Sequence, residues 1–252
     1  MAGVRVKTLS RDRADGAATE ILQVSAGFRG ALPTRAGQPR EWFVLDGDLE
    51  LGGVSYRRHG YGFESPPPAS LEVSSAAGAT LLWISGSTSR GIAERVSIPD
   101  TFMQPWSFGA EGSVTGKPLG EGIAAKVLRR DPGSGEQTFL YCAMPQHSPP
   151  PIMVGKFTHP VIEELFVLDG SYVFGDVGRM GPGGYAFWRE NQWHGPAGSE
   201  TGYHLFIRVI GGPLRNQFSS DAAPFSWHPP YRPALPEPLR ALAREHVSAE
   251  RW

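Results

Sequence analysis

Three residues with metal-binding side chains stand out in the second half of this 252-residue chain. His159 precedes Glu163 by four positions, and His194 follows the turn sequence Pro182-Gly183-Gly184-Tyr185. Imidazole and carboxylate groups are suitable ligands for Fe(II), Mn, Ni, Cu or Zn. A hairpin would bring His159, at the end of one strand, beside Glu163, at the start of the next. His194 has to arrive from a distant strand.

The elements that must position these residues are predicted to be short strands. Apolar runs such as Phe139-Leu140-Tyr141 and Phe166-Val167-Leu168 are bounded by turn residues such as Asp169-Gly170. The chain contains 32 Gly and 23 Pro, and many short strands separated by such turns predict an all-β fold. Helical periodicity is confined to the stretch after Pro238, which predicts a short C-terminal helix within residues 236–252.

The sequence also contains one pattern twice. The segment from Glu41 to Gly47 returns as Glu164 to Gly170, with five identical residues in a row, and the offset between copies drifts from 119 to 124 along the chain. A drifting offset indicates loops that gain or lose a residue between matching strands. A repeat of this length predicts two copies of a whole domain. We assign the first copy to residues 1–110 and the second to residues 111–235.

The motif around His159 resembles that of the cupin superfamily. The first cupin motif has His-x-His, three or four residues, Glu, six residues and Gly, and the second has Pro-x-Gly before a ligand His. The resemblance implies that His159, Glu163 and His194 bind a metal ion. The hairpin sequence is similar to that of ChrR-like cupin proteins. Together with the repeat, it implies a bicupin: two tandem cupin (jelly-roll) barrels.

This chain departs from the cupin pattern at Phe157, which replaces the first His of His-x-His. Residues 157 and 159 face the same side of a strand, so an aromatic ring is expected where a ligand normally lies. Two His and one carboxylate form the facial triad of non-haem Fe(II) oxygenases. The expected cofactor is a divalent transition metal, Fe(II) first, with Mn, Ni or Zn as alternatives. His204 or Glu164 could complete the site, and the sequence leaves that choice open.

The first copy serves as an internal control. The repeat offsets place Ala36, Arg40 and Ser70 at the positions of His159, Glu163 and His194 respectively. None of these three residues can replace the ligand it matches, and the cationic Arg40 would repel a metal ion. The first copy is therefore expected to lack a metal and to have a structural role.

The predicted substrate pocket surrounds the metal ligands of the second copy. We expect a tight, mostly apolar cavity that accepts a small chelating substrate, lined by Phe157, Phe187, His204, Phe206 and Arg208. The first functional hypothesis is a metal-dependent cupin enzyme, such as a dioxygenase or an isomerase of β-diketone or enolate compounds. The alternative is a non-catalytic, sensor-like cupin that binds a metal or a small ligand.

Composition excludes several other roles. The formal net charge is -1 and no basic run occurs, so neither nucleic acid nor an anionic membrane is an expected partner. No apolar stretch approaches the roughly 18 residues of a membrane span, and the N-terminal residues lack the apolar region of a signal peptide. Cys142 is the only cysteine and is expected to be a buried, inert thiol in a reducing compartment. We expect a cytoplasmic protein that forms a homodimer through open sheet edges.

Overall fold

The computed structural model describes residues 2–34, 37–86, 94–108, 119, 121–146, 153–232, 235 and 237–242. Over these residues the chain is all-β, as the sequence predicts, with twenty strands and two 3-10 helices, Thr101–Met103 and Glu237–Leu242. The chain divides into two compact units, Met1–Pro105 and Trp106–Arg251. The boundary predicted at residue 110 lies outside the described residues. So does most of the predicted C-terminal helix, of which the second 3-10 helix is the described part.

The first unit contains ten strands in two antiparallel sheets. They are β1 Val4–Arg11, β2 Ala18–Val24, β3 Phe28–Pro33, β4 Arg40–Gly47, β5 Leu49–Leu51, β6 Val54–Tyr56, β7 Tyr61–Ser65, β8 Ser70–Ser75, β9 Ala79–Ser85 and β10 Glu94–Ile98. The larger sheet has the strand order β1-β2-β9-β4-β7-β10, and the smaller sheet has the order β3-β8-β5-β6.

The second unit repeats this arrangement. Its strands are β11 Ile123–Arg130, β12 Gln137–Ala143, β13 Met153–Thr158, β14 Ile162–Gly170, β15 Tyr172–Phe174, β16 Gly178–Met180, β17 Tyr185–Trp188, β18 Ala197–Gly198, β19 Tyr203–Ile210 and β20 Gln217–Pro224. The five-stranded sheet has the order β11-β12-β19-β14-β17, which matches the first five strands of the larger sheet of the first unit. The other strands form the sheet β16-β15-β18 and the pair β13-β20.

The repeated Asp-Gly sequence has the same backbone role in both units. Gly47 ends β4 and Gly170 ends β14, and both have a φ of +74°. A Cβ atom on Gly47 would collide with the carbonyl oxygen of Gly78, and one on Gly170 would collide with that of Gly202. Only glycine tolerates both the conformation and the close approach, which explains why this part of the repeat is identical.

The core of the second unit lies between its sheets and follows the strand alternation. On β19 the inward residues Leu205, Ile207 and Val209 pack with Phe139, Val167 and Phe174 in one buried cluster. Cys142 is half-buried rather than buried, and burial raises the pKa of its thiol, which keeps it protonated. Among the described residues, no helix has the length and hydrophobicity needed to span a membrane.

Candidate metal centre

His159 lies in the connection between β13 and β14 and is 3% exposed. Its Nδ1 lies 3.4 Å from the carbonyl oxygen of Arg215. A carbonyl neighbour favours the tautomer protonated at Nδ1, which leaves a lone pair on Nε2. The His159 Nε2 is buried and has no hydrogen-bond partner among the described residues. It is therefore available to a metal ion.

His194 reaches the same place from the segment between β17 and β18. Its backbone N–H and carbonyl pair with those of Phe157, each at 3.0 Å. Its ring is stacked on Trp188, with centroids 4.5 Å apart. The Nδ1 lies 2.8 Å from the carbonyl oxygen of Gln192, and the buried Nε2 has no described partner. Both imidazoles are thus oriented in the same way, each through a backbone carbonyl.

Glu163, on β14, completes the group. Its Oε2 lies 3.4 Å from His159 Nε2 and 3.6 Å from His194 Nε2, and one ligand atom from each residue lies within 4.8 Å of the others. Ligands bound at about 2.1 Å to one ion stand roughly 3.0–3.5 Å apart at bond angles of about 90–110°. The two separations between Glu163 and the imidazoles are close to these values, so the group could hold a metal ion.

The charge of Glu163 is settled by its neighbours. Burial raises its pKa, but the interactions with His159 and His194 outweigh burial and lower the pKa to about 2. Glu163 is therefore a carboxylate throughout the neutral pH range. A carboxylate buried between two imidazoles needs a neighbouring cation, which a protonated imidazole or a bound metal ion can supply.

His159 and Glu163 border a cavity of about 90 Å³. Its polar lining consists of Tyr141, His159, Glu163, Tyr172 and Asn216. Its apolar lining consists of Phe139, Phe157, Leu165, Phe174, Ile207 and Leu214. This space is well below that of a pocket for a drug-sized molecule, so only a small ligand fits.

Phe157 lies beside both imidazoles, where the sequence predicts an aromatic ring in place of a ligand. Its ring centroid lies 4.4 Å from that of His194 and 5.5 Å from that of His159. The two imidazole centroids are themselves 5.0 Å apart. The phenyl ring is thus closer to the His194 ring than the His159 ring is, and slightly farther from the His159 ring.

Four residues predicted to line the pocket lie on the other face of the sheet: Phe187, His204, Phe206 and Arg208. In the strand register Glu164 stands opposite both Phe187 and Arg208. Side chains of adjacent strand residues point to opposite faces, and Glu163 points into the cavity. The prediction correctly placed His204, Phe206 and Arg208 on one side of β19 but chose the wrong side, because Ile207 lines the cavity.

Neither residue considered as a substitute for the missing ligand joins the group. Glu164 forms an ion pair with Arg208 at 3.1 Å and accepts a hydrogen bond from the Tyr185 hydroxyl at 2.8 Å. The His204 ring packs edge-on against Trp106, with centroids 5.4 Å apart. Among the described residues, the candidate metal-binding group therefore consists of two imidazoles and one carboxylate.

The first unit has different residues at the matching positions. Arg40 is buried, and its guanidinium lies 4.5 Å from the ring centroid of Trp83. Trp83 is at the repeat position of Ile207, which lines the cavity of the second unit. In the first unit, the Arg40 guanidinium and the Trp83 indole therefore occupy the corresponding region. Ser70 is exposed, and Ala36 lies outside the described residues.

Three polar residues of the cavity, Tyr141, Tyr172 and Asn216, were not predicted from the sequence. Burial and the nearby Glu163 carboxylate raise the pKa of Tyr141 to about 12 and also raise the pKa of Tyr172, so both remain hydroxyl donors. The repeat contained a signal for the two tyrosines. Leu22 and Leu49 stand at their positions in the first copy, so the polar side chains belong only to the copy with the metal-binding group.

Comparison with solved structures identifies the fold as that of cupins. A candidate dioxygenase from Nostoc punctiforme has a TM-score of 0.64 at 20% identity, over 88% of this chain and 78% of its own. A cupin 2 conserved barrel domain protein from Leptotrichia buccalis has a TM-score of 0.52 at 13% identity, over 83% and 89% respectively. A variant of salicylate 1,2-dioxygenase from Pseudoaminobacter salicylatoxidans has a TM-score of 0.53 at 13% identity, over 86% and 82%. No protein-family model and no curated protein matches the sequence.

Proposed function

We propose that this protein is a metal-dependent cupin enzyme of the bicupin, ChrR-like type, whose second unit acts on a small chelating organic substrate. One observation carries the proposal. Two buried imidazoles, His159 and His194, hold their Nδ1 atoms on backbone carbonyls and present partnerless Nε2 atoms to the carboxylate of Glu163. Orienting each ligand His through its second ring nitrogen is the usual arrangement of protein metal sites.

We infer Fe(II) as the metal, with Mn, Ni or Zn as alternatives, because two His and one carboxylate form the set that Fe(II) oxygenases use. A bound divalent ion would supply a Lewis acid that polarises the substrate oxygens, and iron would also supply the redox chemistry that dioxygen requires. His159, Glu163 and His194 would hold the ion. Phe157 keeps a fourth protein ligand out of the group and so leaves room for the substrate.

The substrate class follows from the cavity. Its small volume accepts only a compact molecule, and six of its lining residues are apolar. A β-diketone, an enolate or a hydroxy-ketone has two adjacent oxygens that can chelate one ion. Glu163, with a pKa of about 2, is a poor general base, and the raised pKa values of Tyr141 and Tyr172 keep these residues protonated. We therefore favour a reaction that depends on chelation and activation of the substrate, such as a dioxygenase reaction.

The structural neighbours support this proposal at the level of the fold. Salicylate 1,2-dioxygenase and a candidate dioxygenase have similar structures, so the architecture is compatible with reactions of dioxygen. Fold alone does not assign a reaction, and the assignment depends on the buried group.

The lack of a described general base in the cavity also favours a second candidate. A cupin that binds a metal and a small ligand without turnover, as a sensor does, needs no proton transfer. It would use the same three ligands and the same cavity. Turnover distinguishes the two functions.

The first experiment measures metal content. Protein purified after growth in iron-supplemented medium should contain about one metal ion per chain, and His194→Ala should remove it. The exposed His228 provides a matched control, because His228→Ala should retain the metal. Protein without metal in every preparation would refute the proposal.

The second experiment measures oxygen uptake by the iron-loaded protein with acetylacetone and a panel of small hydroxy-ketones. We expect uptake with at least one compound and none with His194→Ala. Full metal content without turnover of any compound would favour the sensor-like cupin.

We further propose a cytoplasmic homodimer. β1 is an edge strand of its sheet and is largely exposed over residues 5–8, with Val6 57% exposed. Open edges of this kind favour association. Light scattering of the purified protein would give the mass of a single chain if the dimer does not form.

A further inference from the structure

Two tyrosine rings form a polar wall of the cavity beside the metal-binding group. Tyr141 enters from β12 in the five-stranded sheet, and Tyr172 enters from β15 in the opposite sheet. Buried Tyr203 packs against both rings, with centroid distances of 6.0 Å to Tyr141 and 4.7 Å to Tyr172. The rings of Phe139 and Phe174 flank the pair at 6.0 and 4.7 Å. The two rings are therefore fixed by packing.

The hydroxyl groups of these two tyrosines have no hydrogen-bond partner among the described residues. Three other tyrosines do have partners among the described residues. The Tyr185 hydroxyl donates to Glu164, that of Tyr61 donates to Glu41, and that of Tyr56 bonds with Ser97. A half-buried hydroxyl group is ordinarily satisfied by protein or by water. Because both tyrosines line the cavity, their hydroxyl groups are available to a ligand that binds there.

The first unit shows that the fold does not need these hydroxyl groups. In the pairing of β2 with β9, Leu22 has the place of Tyr141, and in that of β5 with β6, Leu49 has the place of Tyr172. Both leucines are part of an apolar core cluster. The tyrosines thus occur in the unit with the metal-binding group, and the barrel architecture forms without them.

The charges around the cavity define what the hydroxyls can bind. No lysine or arginine lines the cavity among the residues that the structure describes. A divalent ion with the single carboxylate of Glu163 has a net charge of about +1, and a chelating monoanion would neutralise it. A dianion would leave an uncompensated buried charge, which is costly.

We infer that Tyr141 and Tyr172 are substrate-positioning residues that donate hydrogen bonds to an oxygen of a monoanionic, oxygen-chelating substrate of the β-diketonate or enolate class. This inference depends on the metal site proposed above. It names the residues that select the charge and orientation of the ligand, in addition to those that hold the ion. The raised pKa values of both tyrosines keep the protons needed for donation at neutral pH.

The test uses the whole chain loaded with Co(II), whose visible spectrum reports ligand binding at the ion. Acetylacetone is titrated into the wild type, Tyr141→Phe, Tyr172→Phe and, as a control, Tyr185→Phe. Hydrogen bonds to charged acceptors contribute enough that each cavity variant should weaken acetylacetone binding about tenfold or more. Their Co(II) content and melting temperature should match those of the wild type, and Tyr185→Phe should bind acetylacetone normally.

The outcomes separate the two proposals. Wild-type affinity for acetylacetone in both cavity variants, with Co(II) bound, would overturn the positioning role and leave the metal site intact. Tighter binding of the dianion oxalate than of acetylacetone by the wild type, or no spectral response to acetylacetone, would overturn the substrate class. A wild-type protein that does not bind Co(II) would overturn the metal site, and with it this inference.

Discussion

Restoring a histidine at residue 157 should strengthen metal binding. The Phe157 ring lies 4.4 and 5.5 Å from the two ligand rings, which are 5.0 Å apart. An imidazole is smaller than a phenyl ring and fits the same space, and it would bring a fourth ligand nitrogen to the group. Four-ligand zinc sites release about 10–16 kcal/mol on binding, which is about 3 kcal/mol per ligand. Phe157→His should therefore bind Zn(II) about 100-fold more tightly.

The assay is competition for Zn(II) with a chromophoric chelator at neutral pH. Phe157→Leu is the matched control, because it removes the ring without adding a ligand. The metal-free Phe157→His protein should lose about 1–2 kcal/mol of stability, since it buries a polar ring in an apolar wall. If Phe157→His binds Zn(II) no better than Phe157→Leu while both remain folded, the phenyl ring does not occupy a ligand position.

Three further predictions concern the side chains around the site. Because the pKa of Tyr141 is raised from 10.0 to about 12, the wild type should lose about 2–3 kcal/mol of stability relative to Tyr141→Phe as pH rises from about 10 to 12. Denaturant midpoints against pH would show this loss, and parallel curves would contradict it. Arg208→Leu leaves Glu164 buried without its cation and should lower the free energy of unfolding by about 3–5 kcal/mol. The metal content should not change, and loss of the metal would show that Arg208 belongs to the site. Trp188→Leu removes the ring stacked on His194 and should weaken Zn(II) binding at least about tenfold, and a full-affinity variant would show that the stacking does not orient the ligand.

The candidate metal-binding group could be predicted from the sequence because most of it is local. His159 lies just before β14 and Glu163 lies near its start, so the short spacing brings the two side chains together. His194 was found through the Pro-x-Gly motif that precedes it. The all-β fold and the internal repeat were equally accessible, since the Asp-Gly sequences that end β4 and β14 require glycine for steric reasons.

The pocket was less predictable, because a period of two does not say which face of a strand is inside. His204, Phe206 and Arg208 share a face of β19, but the side of that face depends on the register with β14. A bulge between Val167 and Asp169 shifts that register, and the residue types at these positions do not predict the bulge. The ion pair of Glu164 with Arg208 was likewise hidden until the two strands could be aligned.

The tyrosines were missed for a different reason. Tyr141 lies within an apolar run that looks like ordinary core, and Tyr172 follows the repeated hairpin at a position where a leucine is found in the first copy. Each is unremarkable alone. Only their convergence from two sheets on one cavity gives them a chemical meaning.

The hydrogen bonds of the second unit determine when, during translation, its metal ligands can be fixed in place. The carbonyl that orients His159 belongs to Arg215, and β13 pairs with β20, whose residues 217–224 come later than every other strand of this unit. A nascent chain that has emerged only as far as β19 holds the sequence of all three ligands but not the partner that fixes the first of them. Metal loading should therefore follow translation of these residues. The first unit can fold while the second unit is still being translated.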